Sequence, residues 1–222
     1  MNHINMIFCD IDGTLKGYHS SFPPFCDEKC LQILHFITSK TDSKLVMTSS
    51  WKTSKGPTMD ILNEFQKYHL DEHVIGCTPD LYHLTMKYAQ KPDANMLKPY
   101  HLNTDDMRMF SNSNSPFLNF TPNKGLEIQS FLRSFHDKSF PEVTSNVAEY
   151  QKRFKNFQNS IQPNTQIGNI VILDDSANMG PLLPYLVHCD SQTGLTTDNA
   201  MEAIQKLIPK THSFIEENRD ER

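Results

Sequence analysis

Short apolar runs alternate along this chain with stretches of helical spacing, and that alternation limits the fold more than any other feature. Residues 4–10, Lys44 to Met47, His73 to Cys77, Asn169 to Leu173 and Leu186 to Cys189 read as strands. Between them, Asp27 to Thr38, residues 58–69, a segment opened by Lys124-Gly125, residues 143–158 and Thr197 to Leu207 carry helical patterns of varying strength, the last with Thr197 or Asp198 near its cap. The run Asn169-Ile170-Val171-Ile172-Leu173 is apolar throughout, as a strand covered on both faces must be. Strands alternating with helices predict an α/β fold with a parallel sheet between helical layers. In such sheets ligands gather beyond the carboxyl ends of the strands.

Three of the predicted strands end in groups that can do chemistry: Asp10 and Asp12, Thr48 and Ser49, Asp174 and Asp175. The first lies in Met6-Ile7-Phe8-Cys9-Asp10-Ile11-Asp12-Gly13-Thr14-Leu15. Two carboxylates at the tip of a buried strand are costly unless a cation or hydrogen bonds offset them. Asp-x-Asp-Gly-Thr therefore points to a hard-metal site, the alternative being a tight turn that uses Asp and Gly for its geometry. Thr48 either binds a ligand or caps the following helix. Trp51 and Lys52, next along, read as packing and surface residues. Two adjacent carboxylates after Ile172-Leu173 are seldom mere surface charge.

The chain has 222 residues, enough for one large domain or a core with a small insert. From about 80 to 122 the periodicity dissolves into Pro, Asn, Ser and Met, read as loops with at most one short helix. The charged segment 211–222 reads as a tail or linker after a core spanning 1–210. A formal net charge of −5 argues against a general nucleic-acid binder, which would show a basic face. No stretch is long enough to span a membrane, and the first strand follows the N-terminus so closely that no cleavable signal is expected. Five scattered cysteines predict reduced thiols and a cytoplasmic protein. Cys26 and Cys30 are one helical turn apart, which permits zinc but suits ordinary apolar packing better. No cysteine is followed by arginine six residues later, which excludes a phosphatase of the cysteine type.

The ordered motifs resemble those of the haloacid dehalogenase (HAD) superfamily of phosphohydrolases, over the stretch from Met6 to about Leu207. The resemblance implies a three-layer Rossmann-like core without a large cap domain, carrying an irregular insert between its second and third motifs. It also implies that Asp10 attacks phosphorus to form an aspartyl-phosphate and that Asp12 is the general acid and base. Thr48 and the amide of Ser49 would bind phosphoryl oxygens, and a lysine opening a helix would offset charge. That lysine is Lys124 in Lys124-Gly125-Leu126-Glu127-Ile128, with Lys98 as its rival. Mg²⁺ would sit among Asp10, the main-chain carbonyl of Asp12, and Asp174, with Asp175 either a ligand through water or an orienting partner of Lys124. Together with Gly194-Leu195-Thr196, these segments are most similar to the HAD domains of RNA-repair proteins and of bacterial effector-type phosphatases. About fifty residues separate Lys124 from Asp174, more than the core requires, so a further insertion is expected around 137–166.

With no large lid, an open site favours a phosphorylated macromolecule over a small metabolite. The acidic balance makes protein the favoured partner and nucleic acid the less favoured one. Tyr82, Tyr88, Tyr100, Phe110 and Phe117 either line a groove for a phosphotyrosine ring or belong to the core. The leading expectation is thus a Mg²⁺-dependent phosphotyrosine phosphatase. A nucleotide or polynucleotide-end phosphatase is the rival, and a non-catalytic HAD-fold binding module is the alternative of another class. Were it an effector, delivery into a host cell would follow.

Overall fold

A computed structural model describes residues 2–110, 124–137 and 147–208. At its centre lies β1 (His3–Cys9), flanked by β2 (Lys44–Met47) and β4 (Gln166–Asp174). Outside these lie β3 (Val74–Cys77) and β5 (Leu186–His188), giving an all-parallel sheet in the order β3-β2-β1-β4-β5. Parallel neighbours require crossovers, and the helices supply them: α1 (Glu28–Thr41), α2 (Lys55–Gln66), α3 (Tyr82–Gln90), α4 (Thr104–Met109), α5 (Lys124–Asp137), α6 (Ala148–Ser160) and α7 (Thr197–Leu207).

Alternation along the strands divides the core into two layers. Ile7, Cys9, Leu45, Met47, Val171 and Leu173 meet Leu34 and Ile37 of α1, Phe65 of α2 and Ala203 of α7. Met6, Phe8, Val46 and Ile172 face the other way, onto Ile128 and Phe131 of α5. The T-shaped contact of Phe8 with Phe131, at 5.7 Å between centroids, holds α5 squarely behind the central strand.

The segment after Thr78 is more ordered than its sequence predicts. It forms α3, α4 and 3-10 turns at Ala94–Met96 and Lys98–Tyr100. Leu84, Leu97, Leu102 and Met107 reach the α5-side core from separate short elements, so no helical stripe repeats often enough to be read. Asn103 and Asp106 cap α4 reciprocally, and Asp106 pairs through both oxygens with Arg133 of α5. Phe110 is buried, and Tyr88 and Tyr100 pack against this same core. Tyr82 is exposed; Phe117 and Ser111 to Ser115 lie outside the described residues, as do 138–146 and the tail from 209.

The surplus between Lys124 and Asp174 contains α6, a helix whose purpose is visible in the sheet. Phe154 and Tyr150 are buried beside β3, and Arg153 donates to the carbonyl of Asp71 at 2.6 Å. An uncovered edge strand invites pairing with another chain, and α6 shields it. At the opposite edge β5 is only three residues long. The cap of α7 is Thr196, one residue before the predicted positions; its partner at the third helical position is Asn199, not the usual Glu or Gln. All five cysteines are buried free thiols, Cys26 and Cys30 among apolar side chains. No helix of the described residues is long and apolar enough to cross a membrane.

Candidate active site

Strand register builds the site. Cys9 lies level with Met47 on one side and Leu173 on the other. The ladder runs one residue further, with Thr48 donating its amide to Cys9 at 2.9 Å and Asp10 donating to Leu173 at 3.1 Å. Thr48, Asp10 and Asp174 therefore stand in one row across the carboxyl ends of three adjacent strands, about 4.8 Å from strand to strand. All three are buried.

Lys124, the first residue of α5, reaches into this row from the Phe131 side. Its ammonium donates to Oδ2 of Asp10 and, at 2.9 Å, to Oδ2 of Asp174. Burial works against the charge on Lys124, but Asp10 and Asp174 outweigh it and raise its pKa, so it stays protonated. Lys98 is exposed on a 3-10 turn and takes no place in the row. The orienting partners of Lys124 are thus Asp10 and Asp174, whereas Asp175 accepts from the Tyr18 hydroxyl at 3.1 Å.

Oxygens of Asp10, Asp174 and Asp175 lie within 4.8 Å of one another. Three carboxylates against one ammonium leave net negative charge in a buried place; Asp174 shows the strain, its pKa pushed up to about 6 by burial and by Asp10 against the pull of Lys124. A hard divalent cation is the group such a donor set fits. The carboxylate of Asp12 stands outside this trio, which leaves its main-chain carbonyl as the contribution expected of it. Its side chain is held elsewhere, with Oδ2 accepting from the Trp51 indole at 2.9 Å. Burial and the charge of Asp10 raise the Asp12 pKa, partly offset by that indole bond and by Lys124. A carboxyl with a raised pKa and one oxygen fixed is suited to carry a proton on the other.

The two hydroxyls after β2 have separate duties. Ser49 caps the 3-10 turn Ser50–Thr53 by accepting from the Trp51 amide, so capping falls to Ser49. The buried Thr48 hydroxyl has no hydrogen-bond partner among the described residues. An orphan of that kind is costly unless something else supplies a partner, and a phosphoryl oxygen would.

Gly13 is required here twice over. Its φ of +72° is left-handed, and a Cβ would stand 2.2 Å from Oδ2 of Asp175. Gly13→Ala should displace Asp175 and raise the Mg²⁺ concentration needed for half-maximal activity about 10- to 100-fold, read by titrating the metal against rate. Behind the same loop, Gly194 (φ +67°) allows Leu195 to donate to the Thr14 carbonyl at 2.7 Å. The Gly194-Leu195-Thr196 segment thereby braces the first motif from the α7 side.

Two supports escaped the sequence reading. Trp51, the chain's one tryptophan, orients Asp12 instead of merely packing. Lys52 is not a surface residue: it is buried, ion-paired with Glu127 of α5, and bonded to the Thr78 hydroxyl at 3.0 Å. Glu127 lies three residues after Lys124, so that pair ties the helix bearing Lys124 to the ends of β2 and β3. The spacing of Lys124 and Glu127 was the available signal.

A parallel sheet that sets carboxylates and a lysine at the ends of its central strands defines a HAD-type hydrolase core. Residues 6–140 match the family described as the HAD domain in Swiss Army Knife RNA repair proteins. That is more than half of the chain, and the chain belongs to this family. The match contains Asp10, Asp12, Thr48, Ser49 and Lys124, while Asp174 and Asp175 lie beyond it. No curated protein and no solved structure matched. HAD domains generally use a divalent metal, in keeping with the acidic trio.

Proposed function

We propose that this protein is a Mg²⁺-dependent phosphomonoesterase that works through Asp10 and removes phosphate from a polynucleotide end. The observation that carries the chemistry is the row Thr48, Asp10, Asp174 with Lys124 bridging the two carboxylates. Lys124 orients Asp10 and cancels part of the repulsion that a phosphate dianion would meet. An oxygen of Asp10 attacks phosphorus while the ester oxygen leaves with the proton of Asp12. Asp12 then takes a proton from water, whose oxygen attacks the aspartyl-phosphate, releasing inorganic phosphate and restoring Asp10. The hydroxyl of Thr48 and the amide of Ser49 bind phosphoryl oxygens. Asp10, Asp174, Asp175 and the Asp12 carbonyl would hold Mg²⁺, which supplies charge neutralisation.

RNA repair in the family description supports the choice of substrate. The groove for a phosphotyrosine ring expected from the insert has less support: Phe110 is buried and Tyr88 and Tyr100 pack against the core, which leaves Tyr82 exposed. The described part of the insert is built into the α5 side of the sheet and does not stand apart as a separate domain, which suits a bulky substrate. Net acidity is a weaker objection than it first looks, because one terminal phosphate needs local compensation, not a basic track.

The test is a comparison of a phosphorylated oligonucleotide, a nucleoside monophosphate, a phosphotyrosine peptide and a phosphoserine peptide. The oligonucleotide is expected to be hydrolysed with the highest kcat/KM, and a preference for the phosphotyrosine peptide would overturn the choice. Chelation of the metal should abolish turnover and Mg²⁺ should restore it; activity that survives chelation would count against the acidic trio as the metal site.

A further inference from the structure

Two exposed aromatic side chains flank the carboxylates, and the chemistry described above uses neither ring face. Tyr18 and Phe22 are 60% and 61% exposed, the two most exposed large apolar side chains among the described residues. Tyr18 stands on the metal side, with its hydroxyl on Asp175. Phe22 stands on the proton-transfer side, its ring near-parallel to that of Trp51 (14° between planes, centroids 6.5 Å apart), which in turn holds Asp12.

The loop carrying these rings is anchored throughout. Asp27 accepts from the Gly17 amide at 3.0 Å and the Ser20 hydroxyl at 2.6 Å, and the Tyr18 amide donates to Ser191 at 2.9 Å. Lys16 donates to the carbonyls of Ser21 and Pro24 and its ammonium lies over the Phe22 ring, 5.8 Å from the centroid, so the ring is held in place while 61% of Phe22 stays exposed. Phe22 also meets Phe25 edge-on at 4.8 Å. A side chain already fixed by its neighbours loses little entropy on binding, so its exposed face is available for a ligand at low cost.

We propose that Tyr18 and Phe22 form a stacking subsite for the nucleobase of the terminal nucleotide. This rests on the polynucleotide reading above and assigns that site a second point of contact. Flat aromatic faces accept any base, so the subsite would recognise the presence of a base and show little preference among the four. It would also let a chain of net charge −5 hold a polynucleotide end without an extended basic surface.

The experiment measures kcat/KM for two oligonucleotides that differ only in their phosphorylated terminal nucleotide, one base-bearing and one abasic. Wild-type protein should favour the base-bearing end about tenfold. Phe22→Leu keeps apolar packing on Phe25 and Trp51, and Tyr18→Leu removes the other ring; each should bring the ratio toward one. Tyr18→Phe keeps the ring while losing the bond to Asp175, and should retain the ratio even where overall rate falls. A wild-type ratio near one, or leucine variants that leave it unchanged, overturns the subsite alone. If neither oligonucleotide is turned over while the phosphotyrosine peptide is, the subsite and the polynucleotide reading fall together.

Discussion

Asp10→Asn protein is expected to retain less than about one part in 10⁴ of the wild-type phosphatase rate while keeping its fold. An amide oxygen is a poor nucleophile toward phosphorus, and the variant also removes one charge from the trio with Asp174 and Asp175. Loss of that charge relieves repulsion, whereas loss of the ion pair with Lys124 opposes the gain. The thermal midpoint should therefore move little. Steady-state hydrolysis of a generic aryl phosphate with Mg²⁺, beside a melting curve, measures both. Unchanged turnover in Asp10→Asn would remove Asp10 as nucleophile; no turnover in the wild type across all the substrates above would leave the binding-module reading standing.

Glu127→Ala should lower stability by about 3–5 kcal/mol. Both side chains of the Lys52–Glu127 pair are only 4% exposed, so removing the acid takes the carboxylate away from a buried ammonium. It also strips acceptors from the Thr78 hydroxyl at 3.1 Å and the Leu81 amide at 3.3 Å. For a chain of this size the melting temperature should drop by roughly 10 °C. The double variant Lys52→Met with Glu127→Leu removes both charges and should recover a substantial part of the loss. Singles that are no worse than the double would show that the pair is not a buried, mutually dependent unit. Activity should fall with the single change as well, since Glu127 fixes the helix that presents Lys124.

The first motif, the hydroxyl after β2 and the acidic pair after β4 were legible because each sits where an apolar run stops, whereas Lys124 was legible as the residue that opens a helical repeat. A strand buried on both faces leaves a continuous apolar signature, and the first polar residue after it marks the sheet's carboxyl edge. The insert was less legible. Leu84, Leu97, Leu102 and Met107 fill one core from separate short elements, and a periodicity scan needs several turns to register. The same limit hid Lys52: an isolated lysine reads as solvated until its partner Glu127, seventy-five positions away, is brought beside it.

By itself, then, the sequence determined the sheet and the four chemical groups at its rim, because residue type and spacing along one strand or helix are local properties. Only the tertiary structure decided how those groups combine. Strand register set Thr48, Asp10 and Asp174 level, and the packing of Phe8 on Phe131 aimed Lys124 at two of them. The turn at Gly13 left Asp175 to Tyr18, and Trp51 took Asp12 out of the carboxylate trio. Those are relations between segments distant in the chain, fixed by which faces pack together, and no single stretch of sequence contains them.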